Sequence, residues 1–289
     1  MSRLTPEAKG KKVIFADVDG TLAFHEGTHK LQFVDFNEDG TANVTHTEKS
    51  KSYRGHRILY DQKRGQGIFV DQRTIELCHQ LAEDFDWICV TGAGYESLHK
   101  RTGVLDFFKG YVIENGGLVM DGDFKEDEKW MYKITDQVAY LHAITEHLKE
   151  EGWVIDPGRK ASVRLRLEQN PKKSAADLSR VRSEVRQVHR AHGIKATVNL
   201  GHLDIIPKNA GKGNAIDYVF RKMGYDPRTI GIGDDINDLS MLEYVAERYI
   251  VGSSHPEIVE IARTRRWYVS RGTYIDGINE ILRKIVGNK

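Results

Sequence analysis

The sequence predicts an α/β fold whose parallel strands are joined by crossover helices. Short apolar, β-branched runs alternate with segments of helical periodicity, and several of those runs end in aspartate, threonine or glycine. Runs that are apolar without alternation are what a strand buried on both faces requires. The 289 residues, 39% hydrophobic and 29% charged, suffice for the core of one large or two modest domains. Against 43 basic side chains stand 42 acidic ones, a formal charge of +1, so no overall field draws the chain to nucleic acid or an anionic membrane.

In order, residues 13–16, 87–90, 111–113, 229–232, 249–251 and 267–269 read as strands of one sheet. Residues 71–84, 94–101, 211–223, 236–247, 256–263 and 273–286 carry apolar positions at helical spacing and would cover it. Residues 23–67 are too many for an ordinary strand-to-helix loop. Within them, 31–36 and 41–47 flank Asn37-Glu38-Asp39-Gly40, a hairpin turn, and 57–60 adds a strand, so a β flap is expected. Its His25, His29, His46 and His56 lack metal-ligand spacing and read as solvated or locally hydrogen-bonded.

The rhythm changes over 134–206. Ile134, Val138, Leu141, Ile144 and Leu148 mark one amphipathic helix and Leu178, Val181, Val185 and Val188 a second, each followed by two strand-like runs. Helix, strand, strand, twice over, reads as a small α+β domain spliced into the first near Gly116-Gly117. The expected division is 1–116 with 207–289 for the main domain and 117–206 for the insertion. The acidic stretch 121–128 suits an exposed linker. No run approaches the roughly 20 apolar residues of a membrane span. The first twelve residues are polar with no apolar signal region, and Cys78 and Cys89 sit in structured stretches, so a cytoplasmic protein is expected.

Chemistry concentrates at strand ends. Asp17-Val18-Asp19-Gly20-Thr21 begins where the first strand stops, the edge at which open α/β sheets place their sites. The strand at 87–90 runs into Thr91-Gly92, a hydroxyl and an amide suited to a phosphate oxygen. The strand at 229–232 leads into Gly233-Asp234-Asp235-Ile236-Asn237-Asp238, too many carboxylates to crowd together without a cation. Lys212 opens a helix and would neutralise a bound anion, whereas Lys208 reads as a solvated turn lysine. Asp17, Asp19 and Asp234 would converge on a hard divalent ion, and an all-oxygen set favours Mg²⁺ over Ca²⁺. EF-hand spacing is absent, Ile206 and Gly213 break a P-loop, and no dinucleotide fingerprint is complete.

Taken in order, Asp-x-Asp-Gly-Thr at 17–21, Thr-Gly at 91–92, Lys-Gly at 212–213 and Gly-Asp-Asp-x-Asn-Asp at 233–238 resemble the four motifs of the haloacid dehalogenase superfamily. The insertion resembles the αββαββ cap of its Cof-type and sucrose-phosphate phosphatase branch. That resemblance implies a Rossmann-like core and a Mg²⁺-dependent phosphatase of a small phosphorylated metabolite, foremost a sugar phosphate. It implies that Asp17 attacks phosphorus to form an aspartyl-phosphate, and that Asp19 protonates the leaving alkoxide, then activates water, offering Mg²⁺ only its backbone carbonyl. Thr91, the Gly92 amide, Lys212 and Asn237 would hold the phosphate. Asp234 would ligate the metal, with Asp235, Asn237 and Asp238 as further ligands or as holders of metal waters and Lys212. A phosphotransferase or phosphohexomutase, a polynucleotide phosphatase and a non-catalytic binding module are the alternatives.

If residues 161–168 form a cap strand, alternation turns Ser162, Arg164, Arg166 and Glu168 toward the core domain. Arg164 and Arg166, with His202 on a neighbouring strand, suit a polyhydroxylated or anionic substrate. Arg180, Arg182, Arg186 and Arg190 lack interleaved aromatics and read as a solvated helix face. Two features depart from the family pattern: Ala93 follows Thr91-Gly92 where many Cof-type members carry arginine, and the flap is unusually long. Tyr53, Arg54, His56 and Arg57 are its candidates for a lid or a subunit contact. A small phosphorylated metabolite is the expected partner, with neither nucleic acid nor membrane, and monomer and homodimer both stay open.

Overall fold

The computed structural model describes residues 9–38, 41–61, 66–199 and 202–288. The apolar run Lys12–Ala16 forms β1, buried over its last four residues. An antiparallel excursion follows: β2 (Phe24–His25), β3 (Leu31–Phe36), β4 (Thr41–His46), β5 (Lys51–Asp61) and β6 (Gln66–Asp71). Next come α1 (Gln72–Ala82), β7 (Phe85–Val90), α2 (Tyr95–His99), β8 (Phe108–Ile113) and β9 (Leu118–Asp121). The insertion comprises α3 (Glu128–Glu150), β10 (Val163–Leu165), α4 (Ala175–Gln187), β11 (Ile194–Asn199) and β12 (His202–Pro207). The chain closes with α5 (Lys212–Met223), β13 (Ile230–Gly233), α6 (Leu239–Tyr244), β14 (Glu247–Ile250), α7 (Pro256–Thr264), β15 (Tyr268–Val269) and α8 (Tyr274–Gly287).

The main sheet has seven strands in the order β15-β14-β13-β1-β7-β8-β9. All its pairings are parallel except that of β8 with β9. Strand order reverses at β1, which opens a crevice at the carboxyl ends of β1, β7 and β13, where an open α/β sheet binds ligands. Strand β9 was not expected from the sequence, being too short to show a period. Its hairpin with β8 buries Val119 and Met120, so the chain leaves the main sheet after Asp121 and not at Gly116-Gly117.

In the insertion, α3 and α4 pack through Leu141, Ile144, Leu148, Val181 and Val185 onto Leu165, Leu203 and Ile205 of a three-stranded antiparallel sheet, β10-β12-β11. Of the run 161–168 only Val163–Leu165 is a strand, because a 3-10 turn over Leu167–Gln169 ends it. The strand-like run before it shrinks to one bridge, Ile155 to Leu165. Pro157, with no N–H to donate, follows closely.

The flap is larger than expected: five antiparallel strands in the order β2-β6-β5-β4-β3, continuing to Asp71, which caps α1 by accepting from the Thr74 amide. Asp39 and Gly40 of the expected turn lie outside the described residues. Phe24, Leu31, Val44 and Phe69 join one hydrophobic cluster with Leu77 of α1 and Ile278 and Leu282 of α8. At the rim, the Tyr53 hydroxyl donates to Asp276 at 3.1 Å and His56 bonds Gln72 at 3.0 Å. The sheet is thus docked on α1 and α8. Cys78 on α1 and Cys89 on β7 are free thiols with no solvent exposure. Among the described residues no helix is long and apolar enough to cross a membrane.

Candidate active site

The turn after β1 is tight because the amides of Thr21, Leu22 and Ala23 all point at the Val18 carbonyl. Gly20 makes it possible: its φ is +88°, and a Cβ there would lie 2.2 Å from an Asp234 oxygen. The turn aims Asp17, Asp19 and Thr21 into the crevice, and the Thr21 hydroxyl donates to Asp234 Oδ1 at 2.8 Å. From the start of α5, Lys212 Nζ, 1% exposed, donates to Asp17 Oδ1 at 3.0 Å and to Asp238 Oδ1 at 2.5 Å. The second Asp238 oxygen accepts the amides of Asp234 and Asp235 at 3.0 and 3.1 Å. Asp235 accepts the Ile236 amide at 2.7 Å, and Asn237 donates to Asn115 at 3.3 Å.

One oxygen each from Asp17, Asp234 and Asp238 can be drawn with all three within 4.8 Å of one another. Two of these buried carboxylates, Asp17 and Asp238, share one ammonium, and Asp234 has only the Thr21 hydroxyl as its side-chain donor among the described residues. Burial pushes Asp17 up to about 7, opposed by Lys212 and reinforced by Asp238 and Asp19. Burial, then Asp17 and Asp238, push Asp234 well above the usual range. Lys212 is held charged: burial works against it, but Asp17 and Asp238 raise its pKa further.

Asp19 sits differently. Its Oδ1 accepts from Arg101 Nη1 at 2.6 Å and from His25 Nε2 at 2.9 Å. Burial would raise this carboxyl, but the Arg101 charge and the His25 bond outweigh it and hold it far below the usual carboxylate range.

The insertion closes over the crevice. Arg164 forks onto Asp204, Nε to Oδ1 at 2.5 Å and Nη2 to Oδ2 at 2.6 Å, and the same Nη2 donates to the Gly92 carbonyl at 3.0 Å. Arg159 donates to that carbonyl at 3.1 Å, and Asn115 to Asp204 at 2.6 Å. Asp17, Asp19, Thr91, Gly92, Ala93, Arg164, Asp235 and Asn237 line a cavity of about 30 Å³, room for about one water. Arg166 and His202 are not among the lining residues: Arg166 pairs with Asp156 at 3.1 Å, and His202 faces Glu168 at 3.9 Å.

Sequence reasoning missed Arg101, Arg159, Asn115 and the role of His25. Arg101 follows a five-residue helix and Asn115 sits in a turn with φ +55°, neither with a periodic signal. For Arg164 and Asp204 a signal existed, since the strand register sets them directly opposite each other.

A parallel sheet with an acidic cluster and lysine at its carboxyl edge, under an inserted α+β lid, is a fold shared with solved haloacid dehalogenase-like hydrolases. Residues 167–282 match the family model for haloacid dehalogenase-like hydrolases. It is similar to a phosphatase-named protein of Streptococcus pyogenes, 36% identical over 88 residues, which spans only 30% of this chain and 31% of that protein. The phosphoglycolate phosphatase of Sulfurisphaera tokodaii is 28% identical over 209 residues, 71% of this chain and 82% of that one. In fold, the sucrose-phosphatase of Synechocystis, solved with sucrose and phosphate, superposes with a TM-score of 0.64 over 96% of this chain and 98% of its own, at 16% identity.

Proposed function

We propose that the protein is a Mg²⁺-dependent phosphatase of a small phosphorylated metabolite, foremost a sugar phosphate, acting through an aspartyl-phosphate on Asp17. The observation that carries this reading is that Asp17 and Asp19 line one small cavity with Thr91 and Gly92, while Lys212 bonds Asp17 and an oxygen of Asp234 lies within 4.8 Å of one of Asp17. An all-oxygen donor set with uncompensated buried negative charge fits a hard divalent cation. Asp17, Asp234 and the Asp19 carbonyl would hold it, while Asp238, whose oxygens are taken by Lys212 and two amides, would hold Lys212. When bound, Mg²⁺ offsets the repulsion between an anionic nucleophile and an anionic phosphate.

A carboxylate nucleophile divides hydrolysis into two displacements. First an Asp17 oxygen bonds to phosphorus as the ester oxygen leaves, taking the proton of Asp19. Water then attacks the same phosphorus, Asp19 receives its proton, and phosphate departs from Asp17. Thr91 and the Gly92 amide hold the equatorial oxygens, and Lys212 neutralises their charge.

For the substrate, the likeness to a sucrose-phosphatase supports a sugar phosphate. A carboxylate-bearing phosphate is the second reading, supported by the relative named a phosphoglycolate phosphatase and by the guanidinium of Arg164 at the cavity wall. The test is phosphate release from sugar phosphates, phosphoglycolate and nucleotides, with Mg²⁺ or EDTA, comparing the parent with Asp17→Asn. Turnover in Mg²⁺ is expected to fall at least about 1,000-fold in the variant. An Asp17→Asn protein as fast as the parent, or silence across the panel, would overturn the reading. Adding a sugar bisphosphate activator separates a mutase from a hydrolase.

A further inference from the structure

Among the described residues, the flap meets Asp19 through the imidazole of His25. We infer that His25, carried on β2, is a positioning residue for Asp19: together with Arg101 it pins Oδ1 and so presents Oδ2 to the oxygen of the leaving group. The inference rests on the phosphatase reading and assigns part of the long flap a task within it.

Asp19 as an acid must place one particular oxygen on the ester bridge. A single donor fixes how far its carboxylate reaches but leaves the carboxylate plane free to twist. Two charge-assisted or strongly polar donors converging on one oxygen remove that freedom. They come from separate elements: Arg101, 4% exposed and itself held by Ser97 at 2.9 Å, lies just beyond α2, and His25 lies at the edge of the flap. Among the described residues both side-chain contacts of Asp19 fall on Oδ1, and Asp19 lines the cavity.

His25 is built in. Its strand pairs with β6 at Phe24 to Phe69 and His25 to Ile68. Its amide donates to His29 Nδ1 at 2.6 Å, and the His29 amide returns a bond to the His25 carbonyl at 3.0 Å. The His29 ring meets Phe24 and Tyr274 edge-on at 5.5 and 5.9 Å. The flap's anchorage on α8 is thereby continuous with the imidazole on Asp19. In the chemical step the proton on Asp19 Oδ2, carried by the minor protonated form of a carboxyl whose two donors favour the anion and so make it a strong acid, passes to the ester oxygen as the P–O bond breaks, and the carboxylate left behind keeps both donors. His25 transfers no proton itself.

The test exploits leaving groups. An alkyl phosphate needs its departing oxygen protonated, whereas p-nitrophenyl phosphate releases a stable phenolate that does not. Since kcat/KM reports only as far as the first irreversible step, hydrolysis of the phospho-enzyme does not blur the comparison. His25→Phe, and His25→Asn, whose side chain is too short to reach Asp19, are each expected to lose about 10-fold or more in kcat/KM on the alkyl ester. On the aryl ester each is expected to lose less than about 3-fold. His25→Gln, with an N–H near the imidazole Nε2, is expected to recover most of the alkyl rate. Thermal unfolding of each variant checks folding, and the three substitutions together keep the comparison open if one unfolds. Equal losses on both esters, or none on the alkyl ester, would overturn the role of His25 alone. A parent inactive on both esters would instead remove the phosphatase reading and this inference with it.

Discussion

Arg164 shows what a single side chain inherits from its register. The strand alternation turned it toward the core domain, and the pairing of β10 with β12 sets Asp204 opposite, so the fork between them was within reach of a sequence argument. That the guanidinium would also reach the Gly92 carbonyl was not legible, because it depends on how two separately folded layers meet. Arg159 and Arg164 thus bring two guanidinium groups to the Gly92 carbonyl, next to Ala93. Asp204 has no exposure, and removing one member of a buried ion pair leaves the other charge stranded. Asp204→Ala is therefore expected to cost roughly 3–5 kcal/mol, read as a lower urea midpoint, and to raise KM more than it lowers kcat.

At the scale of an element, the start of α3 corrects an expectation. Residues 121–128 read as an exposed acidic linker, yet Asp127 is 8% exposed and caps the helix through the Trp130 amide at 3.0 Å. It also accepts from Tyr218 at 2.8 Å and Lys222 at 2.5 Å, tying α3 to α5. Burial pushes this carboxyl up, but Lys222, the Trp130 amide and Tyr218 together lower it beneath its ordinary 3.8. A carboxyl lowered on folding adds stability that is fully present above its unfolded value and is lost as the pH falls through the folded one. Asp127→Asn is expected to be about 1–2 kcal/mol less stable at pH 7, with the gap narrowing below about pH 4 in urea titrations. A gap constant with pH would refute the assignment. The central strands and long helices were readable because burial on both faces and helical period each stamp a pattern. Strand β9 and the flap strands β2 and β6 were not, since runs of four and two residues show no period and β6, with Ile68, Phe69 and Val70 all buried, leads directly into α1.

For the whole molecule, the main sheet, the insertion and the flap meet around one charge cluster. Three motifs of the crevice were visible as strand-end signals and the fourth, Lys212, as a helix start, whereas Arg101, Asn115 and the contact of His25 arise only from long-range packing. A cation that binds the folded cluster and not the unfolded chain stabilises by mass action. Mg²⁺ at 100 times its Kd is expected to add about 2.7 kcal/mol, a rise of several degrees in Tm that EDTA reverses and Asp234→Asn abolishes. An equal rise in that variant would place the ion elsewhere.

The two thiols give the fold a chronometer of its own. Cys78 and Cys89 lie under the flap and within the main sheet, and burial pushes both well above the ordinary thiol range, so neither is nucleophilic while covered. Cys78 sits in the apolar cluster beneath the flap, whereas Cys89, also buried, feels the charges of Asp17, Lys212, Arg101 and Asp19 at the crevice. Alkylation of Cys78 therefore counts openings of the apolar interior, while alkylation of Cys89 also counts openings next to the crevice, so the two can be timed separately in one unlabelled protein.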